Sequence, residues 1–328
     1  MRSFYSIVVA LFLLAALNLG CMGTGEDRVL GIDATGTVLG LVYFDADGSR
    51  TVDEFDVGLA GAAVRLVVSG TRDTLARASS VSDGLFRMQS VPVGSYQVAV
   101  DSASLGDSAQ VVEIDPAEIT VMPDDSVTVT IGVSFPIVSV ADARELPRGG
   151  KVFVEGIVLN DRETFGDASV HLAGEEAAIR VTRVKRSITL PGDSVRFLGT
   201  LSTANGQPTL DDATPFLLTL SEVPPAEQVT AGVAATADGG KLDAALVRVD
   251  SVTVSDTATV AEDFLLTVID GSLPPNTLEV LLDGDVGFVL DPFVPDTVLD
   301  VTGLLVPVGV DPPRWRLKPR SSADLVVK

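Results

Sequence analysis

Residues 44–61 read FDADGSRTVDEFDVGLAG. Acidic and hydroxyl side chains alternate through the first two thirds, and Gly58-Leu59-Ala60-Gly61 closes the stretch ahead of an apolar run from Ala62 to Val68. The run before it, Thr37 to Phe44, is also apolar, β-branched and aromatic. The whole therefore reads as strand, polar loop, strand. An EF-type calcium loop places oxygen ligands at positions 1, 3, 5, 7, 9 and 12, with the seventh supplied by a backbone carbonyl. Counted from Asp45, those positions hold Asp45, Asp47, Ser49, Thr51, Asp53 and Asp56. Two residues depart from the pattern. Arg50 stands at the sixth position, where glycine makes the sharp turn, and Asp56 stands where a longer, bidentate glutamate is usual. The expectation is a structural Ca²⁺ held weakly, on the order of 10⁻⁴–10⁻³ M as in extracellular modules. A solvated acidic turn without an ion is the alternative that the spacing leaves open.

Working outward, short alternating segments recur at Thr74–Ser79, Leu85–Met88, Ser95–Val100, Ala109–Ile114 and Ser126–Val133. Ser82-Asp83-Gly84 carries the signal of a tight hairpin turn. With the two strands that flank the acidic loop, this spacing of short strands without an amphipathic helix predicts a β-sandwich over 35–135. The stretches GLVYFDADGSRTVDEFDVGLAGAAVRLV (40–67) and VSDGLFRMQSVPVGSYQVAV (81–100) resemble the B-type repeats of bacterial surface adhesins. These form the prealbumin-like family of serine-aspartate repeat and collagen-adhesin proteins. The resemblance implies a transthyretin-like sandwich. The Lys–Asn isopeptide found in some such repeats is ruled out here, because the first lysine of the chain is Lys151.

The N-terminus reads as an address. Arg2 precedes the apolar run Ile7–Leu17, which is shorter than the roughly 20 residues of a membrane span. Gly20-Cys21 follows directly, and the segment resembles a bacterial lipoprotein signal, although Asn18 replaces the usual leucine three residues before the cysteine. The resemblance implies cleavage of residues 1–20, lipidation of Cys21, and a membrane partner reached through that lipid anchor, with 21–34 as a tether. Met22, in place of the aspartate that signals inner-membrane retention, points to the outer membrane or cell surface if the cell is Gram-negative.

The 328 residues carry a net charge of −22, which repels nucleic acid and anionic head groups and so argues against a nucleic-acid partner. Cys21 and His171 are the only residues of their kinds, so no disulfide forms within the chain and no Cys/His zinc site can be assembled. His171, in Ser169-Val170-His171-Leu172, reads as an ordinary strand residue.

Residues 136–225 and 226–328 repeat one plan. A first strand lies at Lys151–Val158 in one copy and Ala245–Val254 in the other. A Pro-(Gly)-Asp-x-Val segment then opens a second strand, at Pro191–Leu201 and Pro295–Leu305. The order resembles tandem OB-like modules of bacterial secreted proteins, as does the ending Pro319-Arg320-Ser321-Ser322-Ala323-Asp324-Leu325. The fold class expected for the whole is all-β: a prealbumin-like sandwich followed by two OB-like barrels.

OB-folds bind oligonucleotides or oligosaccharides on one face. Residues 136–226 hold 9 basic against 12 acidic side chains and 227–328 hold 7 against 16, which does not make a basic groove. Arg314, Trp315 and Arg316 are the candidate ligand contacts, with Trp315 either a stacking platform between arginines or a core residue on the opposite face from them. No GxSxG, P-loop or HExxH occurs, and the adjacent pairs Glu175-Glu176 and Asp211-Asp212 read as turns, so no enzyme is expected. The function expected is that of a lipid-anchored cell-envelope interaction or scaffold module, adhesin-like, with an envelope protein or glycan as partner. The alternative is an accessory protein that binds polysaccharide or nucleic acid through its OB-like faces.

Overall fold

The computed structural model describes residues 34–185, 189–311 and 313–328. The expected signal peptide, Cys21 and the expected tether up to residue 33 lie outside the described residues. Alternate side chains of β1 (Thr35–Phe44) are buried along most of its length, which is what a strand with one face on a core requires. The rest of the sandwich is β2 (Val57–Gly58), β3 (Ala63–Val68), β4 (Thr74–Ser79), β5 (Leu85–Pro92), β6 (Gly94–Val100), β7 (Gln110–Asp115), β8 (Glu118–Val121) and β9 (Ser126–Ser134). One sheet runs β2-β1-β9-β7 with β5 also on β1, and the other runs β4-β3-β6-β8. β1 and β9 pair in parallel from Thr37↔Ser126 to Phe44↔Val133. Val38, Val42, Leu66, Phe86 and Ile131 lie in the core between the sheets.

One expectation fails here. Ser82-Asp83-Gly84 makes a turn, with Gly84 N–H donating to the Val81 carbonyl at 2.9 Å, but its arms are not a hairpin. β4 pairs with β3 and β5 pairs with β1, so the turn carries the chain from one sheet to the other.

The first barrel is built from β10 (Ile137–Val138), β11 (Lys151–Val158), β12 (Val170–Ala173), β13 (Ala178–Thr182), β14 (Ser194–Ala204) and β15 (Gln207–Thr219). The order β10-β11-β12-β13-β15-β14 closes by pairing β14 with β11. The second uses β16 (Glu227–Gln228), β17 (Leu246–Val260), β18 (Asp263–Ile269), β19 (Thr277–Leu282), β20 (Val298–Val310), β21 (Pro313–Lys318) and β22 (Leu325–Val327), and closes in the same way through β17 and β20. In each, a parallel pair completes the barrel, β13 with β15 and β19 with β21. Two short helices, α1 (Val140–Glu145) and α2 (Ala231–Thr236), occupy equivalent places before β11 and β17. Ser139 and Thr230 cap them through side-chain oxygens, and Val140, Ala143, Ala231 and Ala234 enter the barrel cores.

Asp211-Asp212 is a second correction. The pair lies inside β15, not in a turn. The ladder with β14 shifts register between Leu198 and Thr200, and Asp212 takes φ 54°, so the acidic pair marks a β-bulge.

The parts meet through specific contacts. The Arg196 guanidinium donates to the Asp47 carbonyl at 2.9 Å, and the rings of Phe44, Phe135, Phe153 and Phe216 follow one another at 5.3, 6.5 and 6.1 Å across the junction of sandwich and first barrel. Leu159, Phe165, Leu246 and Leu304 form an apolar cluster shared by the two barrels. Beside it, Arg320 donates to the Leu159 carbonyl at 2.8 Å, and Arg144 of α1 donates to the Gly240 carbonyl at 2.7 Å. Among the described residues no helix is long and apolar enough to cross a membrane.

Candidate functional sites

The acidic loop leaves the end of β1 with Asp45 fully buried. One carboxylate oxygen of Asp45 accepts the N–H groups of Gly48 and Ser49 at 2.7 and 3.0 Å, and the other accepts that of Arg50 at 3.0 Å. Asp56 reaches back across the loop, accepting from Ala46 N–H and Asp53 N–H, both at 3.1 Å. Folding the chain this way brings oxygens of Asp45, Asp47 and Asp56 within 4.8 Å of one another. Of the remaining predicted ligands, Ser49 and Asp53 are tied to that trio by their backbone N–H groups, Ser49 to Asp47 Oδ1 at 2.8 Å and Asp53 to Asp56 Oδ2 at 3.1 Å. Ser49 Oγ donates to the Thr51 carbonyl at 3.1 Å and contacts Asp53 at 3.3 Å, and Asp53 is exposed. Arg50 makes the sharp turn itself at φ 63°.

The loop is electrostatically loaded. Burial pushes the Asp45 carboxyl above its ordinary value, and the N–H groups of Arg50 and Gly48 offset this only in part. The Tyr43 hydroxyl is pushed up to about 12, first by burial and then by Glu113, Asp45, Asp56 and Asp53. Among the described residues none of the loop carboxylates enters an ion pair; Arg196 meets the Asp47 carbonyl, not its carboxylate. A buried carboxylate with two more beside it, none of them ion-paired among the described residues, is a donor set that suits a hard cation.

The second predicted group is divided by the fold. Arg314 is exposed, whereas Trp315 packs partly buried against the second barrel's core and its indole N–H donates to Asp243 Oδ1 at 2.7 Å. Arg316 does not face open solvent. It is half-buried, paired with Glu279 at 3.1 Å, and lines a cavity between the barrels. Trp315 walls a different cavity, which shares Asn205, Gln207 and Pro307 with the first.

Of the residues that line the inter-barrel cavity, sequence reasoning named Arg316 but assigned no role to His171 or Gln207. His171 is 1% exposed and its Nε2 has no hydrogen-bond partner; Gln207 is 2% exposed and its Oε1 has none either. Both sit in strands whose local pattern says only that they alternate, and their meeting depends on barrel closure.

No protein-family model matches the chain, and no curated protein matches it. Among solved structures it is similar to GBS52, the minor pilin of the Gram-positive pathogen Streptococcus agalactiae, at 20% identity and TM-score 0.24, over 31% of this chain and 45% of that one. The chain thus spans under half the length of that pilin. It is also similar to a murine DNA-binding protein bound to double-stranded DNA, at 13% identity and TM-score 0.30, over 54% of this chain and 97% of that one. The hypothetical protein ygiW of E. coli aligns at 16% identity and TM-score 0.23, over 25% of this chain and 89% of that one.

Proposed function

We propose that this is a non-catalytic, lipid-anchored cell-envelope protein, an adhesin-like interaction or scaffold module whose acidic loop is braced by calcium. The observation that carries the calcium reading is the convergence of the Asp45, Asp47 and Asp56 carboxylates with no ion pair among the described residues, at a loop whose Asp47 carbonyl is bonded to Arg196 of the first barrel. Asp45, Asp47 and Asp56 would hold the ion, with Ser49, Thr51 and Asp53 the further oxygen donors that the spacing offers. Bound there, calcium supplies positive charge to mutually repelling carboxylates and stiffens the loop where the sandwich meets the barrels. The chain's own part is to hold Asp45 in place through three backbone N–H groups. Cys21, behind its apolar leader, would supply the anchor, and an envelope protein or glycan the partner.

Titration calorimetry of the full chain with calcium chloride tests the site. The expected dissociation constant is on the order of 10⁻⁴–10⁻³ M, and a hundredfold excess over it adds about 2.7 kcal/mol of stability. Asp45→Ala with Asp47→Ala abolishes the heat and the calcium-dependent rise in melting temperature. Since Asp45 is buried, Asp47→Asn with Asp56→Asn provides a second pair at half-buried positions. A wild-type chain that gives no heat at millimolar calcium overturns the calcium reading. Fractionation of cells that carry Cys21→Ser tests the anchor separately: the variant leaves the membrane fraction, and if it stays there the anchor is not Cys21.

A further inference from the structure

Ion pairing is unevenly shared along the chain. Every ion pair among the described residues lies in the two barrels. The sandwich holds five arginines, Arg50, Arg65, Arg72, Arg77 and Arg87, and none of them enters one. Two of the five stand side by side. The antiparallel register of β3 and β4 sets Arg65 directly opposite Arg77. Both side chains are exposed, while Val64 and Leu66 on either side of Arg65 are buried, so the arginines share the outer face of the sheet. Directly opposed residues on one face have Cβ atoms about 4.5–5.5 Å apart, and like charges so placed are destabilising. Neither guanidinium makes a hydrogen bond or an ion pair among the described residues, so the fold itself does not offset that repulsion.

The two arginines wall one open depression of about 360 Å³, with Ala63 and Ser79 beside them and Asp101 on its far side. Val64 pairs with Val100 of β6, and Asp101 N–H donates to the Ala63 carbonyl at 2.9 Å. Asp101 therefore stands one strand over and two residues along from Arg65. Its Oδ1 accepts the Ala103 N–H at 3.1 Å, and among the described residues no donor reaches Oδ2. The depression thus has two positive charges on one side and one negative charge on the other. A lone carboxylate is satisfied by a single guanidinium fork. Two forks side by side match a group with three terminal oxygens and two charges, and a phosphomonoester, at about −1.5 to −2 near neutral pH, is such a group. Asp101 accepts hydrogen bonds and carries the opposite charge, so it suits an ammonium or hydroxyl on the same ligand. The net charge of −22 holds the chain off an anionic lipid surface, so the phosphate is that of a small soluble molecule.

We propose that Arg65 and Arg77 bind the phosphate of a small phosphomonoester, with Asp101 receiving an ammonium or hydroxyl group at its other end. The site shares no residue with the calcium loop, Cys21 or the barrels, so its failure leaves the scaffold reading standing and the converse holds as well. The test is calorimetry of the full chain in calcium-free buffer, titrated with inorganic phosphate, phosphoethanolamine, ethanolamine and acetate. Inorganic phosphate should give a saturable heat with a dissociation constant on the order of 10⁻³ M that weakens as salt is added. Phosphoethanolamine should bind about tenfold more tightly, and ethanolamine should give no heat. Arg65→Gln and Arg77→Gln each weaken phosphate binding about tenfold. Because each relieves the contact between like charges, neither lowers the ligand-free melting temperature. Asp101→Asn removes the advantage of phosphoethanolamine without weakening inorganic phosphate. The absence of saturable heat with both phosphate ligands, unchanged affinity in either arginine variant, or acetate binding as tightly as phosphate overturns the proposal. So does self-association of the arginine variants with phosphate binding unchanged, which would make the pair a guard of the exposed β4 edge.

Discussion

His171 stands in β12 with Nδ1 facing Asn160 and no charged group within bonding distance of its ring. In the unfolded chain an imidazole takes up its proton near 6.5, but in the fold burial, Arg180 and Lys318 push His171 down to about 3, with Asp167 opposing. Between those values the unfolded chain binds more protons than the folded one. Stability from this residue is therefore fully present above pH 6.5 and is lost as the pH falls toward 3. Its share of the slope reaches about 1.4 kcal/mol per pH unit. Urea unfolding at a series of pH values should show that component in the wild type and its loss in His171→Leu; equal slopes would mean that the ring titrates in the fold as it does in water. The sequence around this residue, Ser-Val-His-Leu, was enough to place it on a strand. It could not show which face lies inward, nor that Asn160, eleven residues earlier, would fix the tautomer, because both follow from how β11 and β12 pair. The loop differs in this respect: Asp45, Asp47 and Asp56 are local in sequence and need no barrel closure to meet, although the spacing named six residues and did not single out these three.

Turns set the path of the strands, and two glycines separate the causes. Gly84 and Gly61 share φ 81°, a left-handed conformation that costs an L-residue roughly 1–2 kcal/mol. Around Gly61 no atom lies within 4 Å of where a Cβ would stand, whereas at Gly84 that Cβ would overlap the Val42 carbonyl oxygen and press on the backbone at Gly58. Gly61→Ala should thus lower unfolding free energy by about 1–2 kcal/mol, and Gly84→Ala by about 2–4 kcal/mol or more, since the backbone of β1 must also yield. Denaturant midpoints of the two variants decide it, and equal losses would show that conformation alone is responsible. The Asp-Gly pair was a sound signal for a turn at 83–84, yet it said nothing of the sheet each arm would join. That choice is made by the partners, β3 for one arm and β1 for the other. Short elements escaped for a related reason: β2 has two residues and β8 four, too few for an alternation to declare itself, and the six residues of α1 do not complete two helical turns.

The repeat from residue 136 onward was legible because the two copies keep their strands in one order, which the second barrel follows through six strands before adding β22 beside β20. What the copies do to each other was not legible. Leu304 of β20 is fully buried, and it lies in the cluster that also contains Leu159 and Phe165 of the first barrel. Arg320 and Arg144 add hydrogen bonds across the same seam. The sandwich keeps a core of its own and meets the first barrel through the phenylalanine series and Arg196. Two cooperative units are the expected consequence: the sandwich, and the barrel pair. Leu304→Ala removes apolar volume from the shared cluster and should cost about 2–5 kcal/mol. In differential scanning calorimetry both barrels would then melt together at a lower temperature, while the transition that Gly84→Ala displaces, that of the sandwich, stays in place. If the variant lowers one barrel's transition and leaves the other barrel's unmoved, the cluster does not couple them.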